Sequence, residues 1–420
     1  MSAPATTPTA QKLMFAPPSR VRSFLSLSGT FEHLLTGQTQ RPRLPDDYLT
    51  GPSAAAKNLV LILVDGWGWK RAFDPTLPFV NRITKDRANV VRELDSGFPT
   101  TTAAMLPSLY LGQPPTSHGF VEWRHWEDSV QAMINVLPWR FDADHGQRET
   151  LSKAVPDPLT ILQRGTFFQE LKAKGVSGYL VQPEELKDST FNTFIVPPED
   201  ATTIYYNNVR RGLDQVTQAL AGPGEHKLIV LYAMKYDHIS HLLGPESAGA
   251  REALQQILDD VDDWYLGASG QHPGTLLAMT ADHGQIHLPL TQWTSLPEKA
   301  PLLGKYLRKD RAGNVIPTAG SARDRFCYLR PGCEDEAREV VARELDGLAD
   351  VVLVKDLLAR GFYGAGQPSE RFLRRMGDLC ILPHTSCFTG WDGASGKDVG
   401  HHGGLSEDEG KVPWILTRLD

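Results

Sequence analysis

Hydrophobic positions in this 420-residue chain gather into short unbroken runs, and acidic or imidazole side chains follow closely after three of them. Asn58 to Val64 (NLVLILV), Lys227 to Met234 (KLIVLYAM) and Thr275 to Thr280 (TLLAMT) are too uniform for half-exposed strands and too brief for helices. Each predicts a buried central strand. A helical stretch from Arg251 to Leu266 separates the second run from the third. Runs of this kind alternating with helices predict an α/β fold, with a central, mostly parallel sheet sandwiched between helices.

In open parallel sheets the ligand site lies beyond the carboxyl ends of the strands, so the residues that follow each run carry the chemistry. Asp65 follows the first run directly, Asp237 follows the second after two residues, and Asp282 and His283 follow the third after one. Any one of these carboxylates alone would more often cap the next helix. Three of them at one sheet edge are like charges that need a cation. Asp237 and His241 are spaced i, i+4, one turn apart if the segment turns helical, so both can chelate one ion. The Gly-rich segment GKDVGHHGGLS offers His401 and His402, either of which could complete the set, whereas His238 reads as a surface residue.

Carboxylate and imidazole donors without thiolate suit Zn²⁺, and Mn²⁺ or Fe²⁺ accept the same donors. Six candidate donors exceed the three that a catalytic zinc takes from its protein. Two ions a few ångströms apart, the usual arrangement for in-line displacement at phosphorus, account for the number. A nucleophile is then required, and Phe98 to Gly119 (FPTTTAAMLPSLYLGQPPTSHG) places Thr100, Thr101 and Thr102 ahead of a helix-like apolar stretch. The unpaired N–H groups of a helix start favour both an alkoxide and phosphoryl oxygens.

Composition narrows the partners. A net charge of -7 shows no basic footprint for nucleic acid, and no stretch approaches the roughly 20 apolar residues that span a bilayer. The N-terminus lacks the apolar run of a secretory signal, so a cytoplasmic protein acting on a small phosphorylated substrate is expected. Cys327, Cys333, Cys380 and Cys387 lack CxxC spacing and read as free thiols. Residues 1–56, rich in Pro, Ser, Thr and Ala, are expected to form a surface arm, and residues 57–420 the main domain. Within it, insertions near 122–225 and 288–324 are expected to cover the site. The first carries the aromatic residues Trp123, Trp126, Trp139, Tyr205 and Tyr206, to which no role is assigned.

In order and separation, VDGWGW, FPTTTAAMLPSLYLGQPPTSHG, DHISH, TADHG and HHGGLS resemble the alkaline phosphatase superfamily, in its type I phosphodiesterase/nucleotide pyrophosphatase branch. The resemblance implies a hydrolase with two zinc ions per chain. One would be held by Asp65, Asp282, His283 and the nucleophile, the other by Asp237, His241 and His402, the histidine directly before glycine. In this branch the nucleophile precedes a glycine-containing turn by ten residues and the SHG histidine by sixteen; counting back from Gly112 and from His118 gives Thr102 both times, with Thr101 the runner-up. If Thr102 is the cap, Pro107 falls past the first turn and implies a kinked or late-starting helix. An Asn of the eukaryotic-like members, a few residues after SHG, is replaced here by Glu122 or Trp123 in a segment more similar to bacterial members. The expected reaction is in-line attack by Thr102 on a phosphodiester or pyrophosphate, through a phosphothreonine. Charge counting favours diesters over monoesters, because two divalent ions are balanced by Asp65, Asp237, Asp282 and the alkoxide, and no Arg lies in the nucleophile motif. A phosphomonoesterase or phosphonate hydrolase of the same superfamily, or a non-catalytic metal-containing interaction protein, is the alternative.

Overall fold

The computed structural model describes residues 16–49, 56–74, 77–86 and 88–419. Helix α1 (Leu27–Thr36) precedes β1 (Asn58–Val64), and short α2 (Trp69–Ala72) and α3 (Pro78–Lys85) lead to β2 (Val90–Asp95). Then come α4 (Thr102–Leu111), α5 (Pro115–His118), and a small three-stranded sheet of β3 (Arg124–Glu127), β4 (Ala132–Asn135) and β5 (Arg140–Phe141). The chain returns through α6 (Phe167–Ala173), β6 (Val176–Pro183), α7 (Thr190–Ile195), β7 (Ala201–Tyr206), α8 (Val209–Ala221) and β8 (His226–Ala233). Helices α9 (Lys235–Leu243) and α10 (Ala248–Ala268) connect to β9 (Thr275–Thr280).

A lid unit follows. It runs through β10 (Ile286–His287), β11 (Trp293–Thr294), α11 (Leu296–Lys299), β12 (Ala319–Gly320), β13 (Arg325–Cys327), α12 (Glu334–Glu344) and β14 (Ala349–Leu353). It continues through α13 (Val354–Ala359), α14 (Glu370–Arg375), β15 (Leu379–Pro383), β16 (Cys387–Phe388) and β17 (Gly400–His401), before α15 (Glu407–Gly410) and β18 (Lys411–Arg418).

The central sheet has seven strands in the order β2-β18-β9-β1-β8-β6-β7. The β9-β1-β8-β6-β7 part is parallel, and β18 runs antiparallel to both neighbours. All seven residues of β1 and all six of β9 are buried, as their unbroken apolar character requires when helices cover both faces. The three expected strands are therefore β1, β8 and β9, and the expected helix is α10.

Residues 24–36 do not form a surface arm. Phe24, Leu27, Phe31, Leu34 and Leu35 belong to the main core, and α1 packs on β1 and β8. Small polar residues between these anchors disguise an i, i+4, i+7, i+8 stripe, and they are satisfied locally: Thr30 Oγ1 donates to the Ser26 carbonyl at 2.8 Å. Residues 1–15 and 50–55 of the expected arm lie outside the described residues.

The expected 122–225 insertion is also divided differently, because β6 and β7 belong to the central sheet and only β3 to β5 with the loops after them form an added layer. Gly178 interrupts the apolar run of β6; a Cβ there would lie 2.5 Å from the Phe168 ring, so close packing of α6 requires the glycine. The second insertion extends well past 324. Strands β12-β13-β15-β14 form an antiparallel sheet backed by α12, with core clusters of its own around Phe326 and Val351. Cys327, Cys380 and Cys387 are buried there and Cys333 is half-buried, all four as free thiols.

If residues 24–36 are core, Phe31→Ala should cost about 3–5 kcal/mol, the usual loss for a fully buried phenylalanine. Urea denaturation measures this; a loss below about 1 kcal/mol would return the segment to the surface.

Candidate metal centre

Asp65 leaves the carboxyl end of β1 and is followed by Gly66, whose φ of +74° turns the chain away. A Cβ at Gly66 would sit 2.9 Å from Asp237 Oδ1, so the glycine lets two strand ends approach. Asp282 and His283 follow β9 and are fully buried. Asp237 occupies the first turn of α9 and His241 its last, which realises the i, i+4 pairing, with His241 Nε2 3.4 Å from Asp237 Oδ2. His402 comes in from the loop after β17.

Hydrogen bonds at the far nitrogen of each ring orient the three imidazoles. His241 Nδ1 lies 2.8 Å from the Gly400 carbonyl, His283 Nδ1 3.1 Å from that of Gly284, and His402 Nδ1 2.9 Å from that of Thr100. Carbonyl oxygens only accept, so each Nδ1 carries the proton and each Nε2 presents a lone pair. The Nε2 atoms of His241 and His402 are then 3.1 Å apart, acceptor against acceptor. The His402 ring also stacks on His283, with centroids 3.8 Å apart.

Electrostatics point the same way. Burial, then Asp282, then Asp237 push the Asp65 carboxyl well above the usual carboxylate range, although Tyr232 donates its hydroxyl to Asp65 Oδ2. Burial, then His283 and His241, push His402 well below the ordinary imidazole value. Asp282 Oδ2 is buried with no hydrogen-bond partner. Crowded carboxylates, facing lone pairs and an orphaned oxygen are what a divalent cation would relieve. The donors fall into two groups, Asp65/Asp282/His283 and Asp237/His241/His402, each with its ligand atoms within 4.8 Å of one another. His401 joins neither: its Nε2 contacts the Asp398 carbonyl at 3.0 Å, and its ring meets Trp293 edge-on.

All three threonines are buried, and Thr101 and Thr102 both line the space above the donors, but Thr102 is the one whose hydroxyl lies within hydrogen-bond distance of them. Thr102 Oγ1 is 3.0 Å from His283 Nε2 and 3.4 Å from Asp65 Oδ1. Thr100 Oγ1 instead donates to the Gly404 carbonyl at 2.7 Å. Thr101 is the N-cap of α4, yet its side chain makes no capping bond. The helix begins at Thr102 without delay and continues through Pro107, buried on every side.

A family model for type I phosphodiesterase/nucleotide pyrophosphatase matches residues 59–405. The chain belongs to that family. A search of curated protein sequences finds no match. Among solved structures, an inactive form of murine ectonucleotide pyrophosphatase/phosphodiesterase 5 in complex with AMP aligns with a TM-score of 0.62 at 13% identity, covering 85% of this chain and 87% of that one. Its human counterpart aligns with a TM-score of 0.61 at 13% identity, over 85% and 87% of the two chains. Phosphonoacetate hydrolase from Sinorhizobium meliloti, in complex with phosphonoacetate, aligns with a TM-score of 0.57 at 18% identity, over 86% and 90%. These structures share the fold of this family member.

A cavity of about 640 Å³ opens over both donor groups, and its wall holds residues that sequence reasoning left unassigned. Arg124 lines it, but its guanidinium is engaged by Asp142 at 2.8 Å, Asp392 at 2.5 Å and the Thr318 carbonyl at 2.7 Å. Asn135, Arg140, Arg148 and Arg325 also line it, so the charge counting from the sequence missed three cations. Of the five aromatic residues singled out in the first insertion, Trp123 alone faces the cavity; Trp139 and Tyr206 are core, and Trp126 belongs to the lid cluster. Glu122 also faces it, 1% exposed, its carboxyl pushed up by burial and then by Asp324.

Elemental analysis of protein equilibrated with Zn²⁺ should find about two ions per chain, and Asp282→Asn should lower that number. A single tight ion at saturation would end the dinuclear assignment.

Proposed function

We propose that this chain hydrolyses a phosphodiester or pyrophosphate bond, with Thr102 as nucleophile and two divalent ions, Zn²⁺ by donor type, in the two donor groups. The observation that carries the reading is the placement of Thr102 Oγ1, within 3.4 Å of both His283 and Asp65 at the start of a ten-residue helix. Asp65, Asp282 and His283 would hold one ion beside that hydroxyl; Asp237, His241 and His402 would hold the other. Bound there, the ions would neutralise developing charge on the phosphoryl oxygens and lower the pKa of the attacking and leaving oxygens.

The protein's own groups do the rest. Packing around α4 fixes the Thr102 side chain, so attack starts from a held geometry rather than a mobile one. The N-terminal end of α4 favours the phosphoryl group by its dipole. The Thr102 hydroxyl loses its proton to solvent, attack forms the Oγ1–P bond and breaks the bond from phosphorus to the departing ester or phosphoryl oxygen, which leaves as the anion or takes a proton from water, and water then breaks the Oγ1–P bond of the phosphothreonine to restore Thr102. The convergence of all six donors with a nucleophile favours turnover over a purely binding role.

Thr102→Ala should abolish nearly all activity with metal content retained, whereas Thr101→Ala should be much milder. The reverse order would move the nucleophile one residue back. For an aryl diester and its monoester at pH 8, kcat/KM should favour the diester. A monoester preference of about tenfold, or about 1.4 kcal/mol, would mean that Arg325 or Arg140 reaches the transferred phosphoryl group, and would remove the diesterase reading.

A further inference from the structure

The register of the small sheet decides which side chains share the cavity wall. Antiparallel pairing sets Arg124 against Asn135, and Asn135 against Arg140, and all three line the cavity. Arg325, the first residue of β13, joins them from the lid.

Some polar atoms of this wall lack partners. Asn135 is 1% exposed and its Oδ1 has no hydrogen bond; the Nε of Arg140 is likewise buried and unbonded. Arg140 otherwise donates from Nη1 to the Asp144 carbonyl at 2.8 Å. Arg325 is 4% exposed, and its Nε and Nη2 both donate to the Phe388 carbonyl, at 3.0 and 2.6 Å. Among the described residues no carboxylate lies within ion-pair distance of Arg140, Arg148 or Arg325, whereas Arg124 has two. Acids near the wall offset these cations only in part. Asp142 is engaged by Arg124, and Asp324 and Asp392 act on Arg325 from beyond ion-pair distance, yet burial and Arg124 outweigh them and bring its pKa down to about 10; Asp398 also lines the cavity. Buried polar atoms without partners, and guanidinium groups met only by carbonyl oxygens, are costly unless a ligand completes them.

We propose that this wall is a second-anion subsite: besides the phosphoryl group at Thr102, the substrate carries a carboxylate or phosphoryl group that Arg140 and Arg325 receive. A planar guanidinium fork matches either group bidentately. Asn135 Oδ1 accepts from a donor, such as a hydroxyl, on the same arm. The inference rests on the hydrolase reading above and adds the class of substrate: a phosphate ester with a second acid group.

The test uses metal-loaded, full-length protein and three phenyl phosphodiesters whose second arm is 2-carboxyethyl, 2-carbamoylethyl or 2-phosphonoethyl. Loss of diester is followed by phosphorus NMR, so that breakage of either ester bond is counted. The carboxamide is nearly isosteric with the carboxylate but is neutral and replaces one acceptor oxygen by an NH2 donor, so it cannot receive a guanidinium bidentately. For one or both acid arms kcat/KM should exceed that of the carboxamide by at least about tenfold, and the faster acid identifies the group. Arg140→Gln should collapse that ratio to within about threefold, whereas an equal loss on all three diesters would overturn the subsite. Equal rates for the three in the unaltered protein would overturn it without any variant. Resistance of all three to hydrolysis would instead remove the hydrolase reading and the inference with it.

Discussion

The arrangement depends on one electrostatic constraint: parallel strands deliver acidic side chains to the same edge, and those charges must be met there. Asp65 and Asp282 leave neighbouring strands β1 and β9, and Asp237 follows β8 on the other side of β1. Among the described residues no lysine or arginine pairs with them. Their immediate partners are a tyrosine hydroxyl, a glutamine amide and imidazoles whose protons are directed away to backbone carbonyls. An isolated carboxylate in such surroundings would neutralise itself by taking a proton, the direction in which Asp65 is driven. Divalent ions remove that pressure, so the metal reading follows from the sheet topology as much as from the residue types.

The lid is registered against this edge by a fully buried ion pair. Arg323 donates Nε and Nη2 to the two carboxylate oxygens of Glu409 at 3.1 and 3.0 Å, and Nη1 to the Ser386 carbonyl at 2.5 Å. Burial raises the Glu409 carboxyl, yet Arg323 and the donors of Ser406 and Gly404 outweigh it and hold the group below its usual range. A Cβ at Gly404 would lie 2.9 Å from that carboxylate, so the glycines after His402 serve this contact as well as the bend. A buried pair of this kind is weak evidence of added stability, since desolvation offsets most of its attraction. Its value here is positional, because Arg323 lies between Ser321 of the lid, which donates to the His402 carbonyl at 3.0 Å, and β13.

What the sequence made legible was whatever repeats locally. Unbroken apolar runs identified β1, β8 and β9, and the side chains just beyond them are ones the fold gathers into two candidate donor groups, because strand ends are points where sequence order and spatial position coincide. Strands β6 and β7 escaped notice: a glycine required by α6 breaks the first, and the second lies at the sheet edge, where four of its six residues are partly or fully exposed. Helix α1 escaped because small polar residues separate its anchors, and composition conceals a stripe that periodicity would have shown. The cavity wall was not readable at all. Asn135 and Arg140 are unremarkable in sequence, and only cross-strand register sets them beside Arg124.

That difference has a chemical consequence. The groups placed to react come from the ends of β1, β8 and β9 and from the start of α4, elements held by the main core. Residues of the proposed subsite come from β3 to β5 and the lid, which contribute to the clusters around Phe326 and Val351, although Ile134 of β4 and Trp139 before β5 pack into the main core. Several contacts link the two sets, among them the Arg323–Glu409 pair and the packing of Phe98, just before the threonines, in the cluster around Phe326. Another runs through Ser321, whose hydroxyl donates to Asp324 at 2.6 Å and reaches the His402 carbonyl. Residues without shared partners act nearly independently, so on the proposed reading a change at Asn135 or Arg140 would alter which arm of a substrate is accepted while Asp65, Asp282 and His283 keep their geometry. A change at Ser321 or Asp324 has no such freedom, because it moves the lid and a donor loop together. Selectivity in this fold is therefore adjustable on the small sheet and constrained at the lid joint.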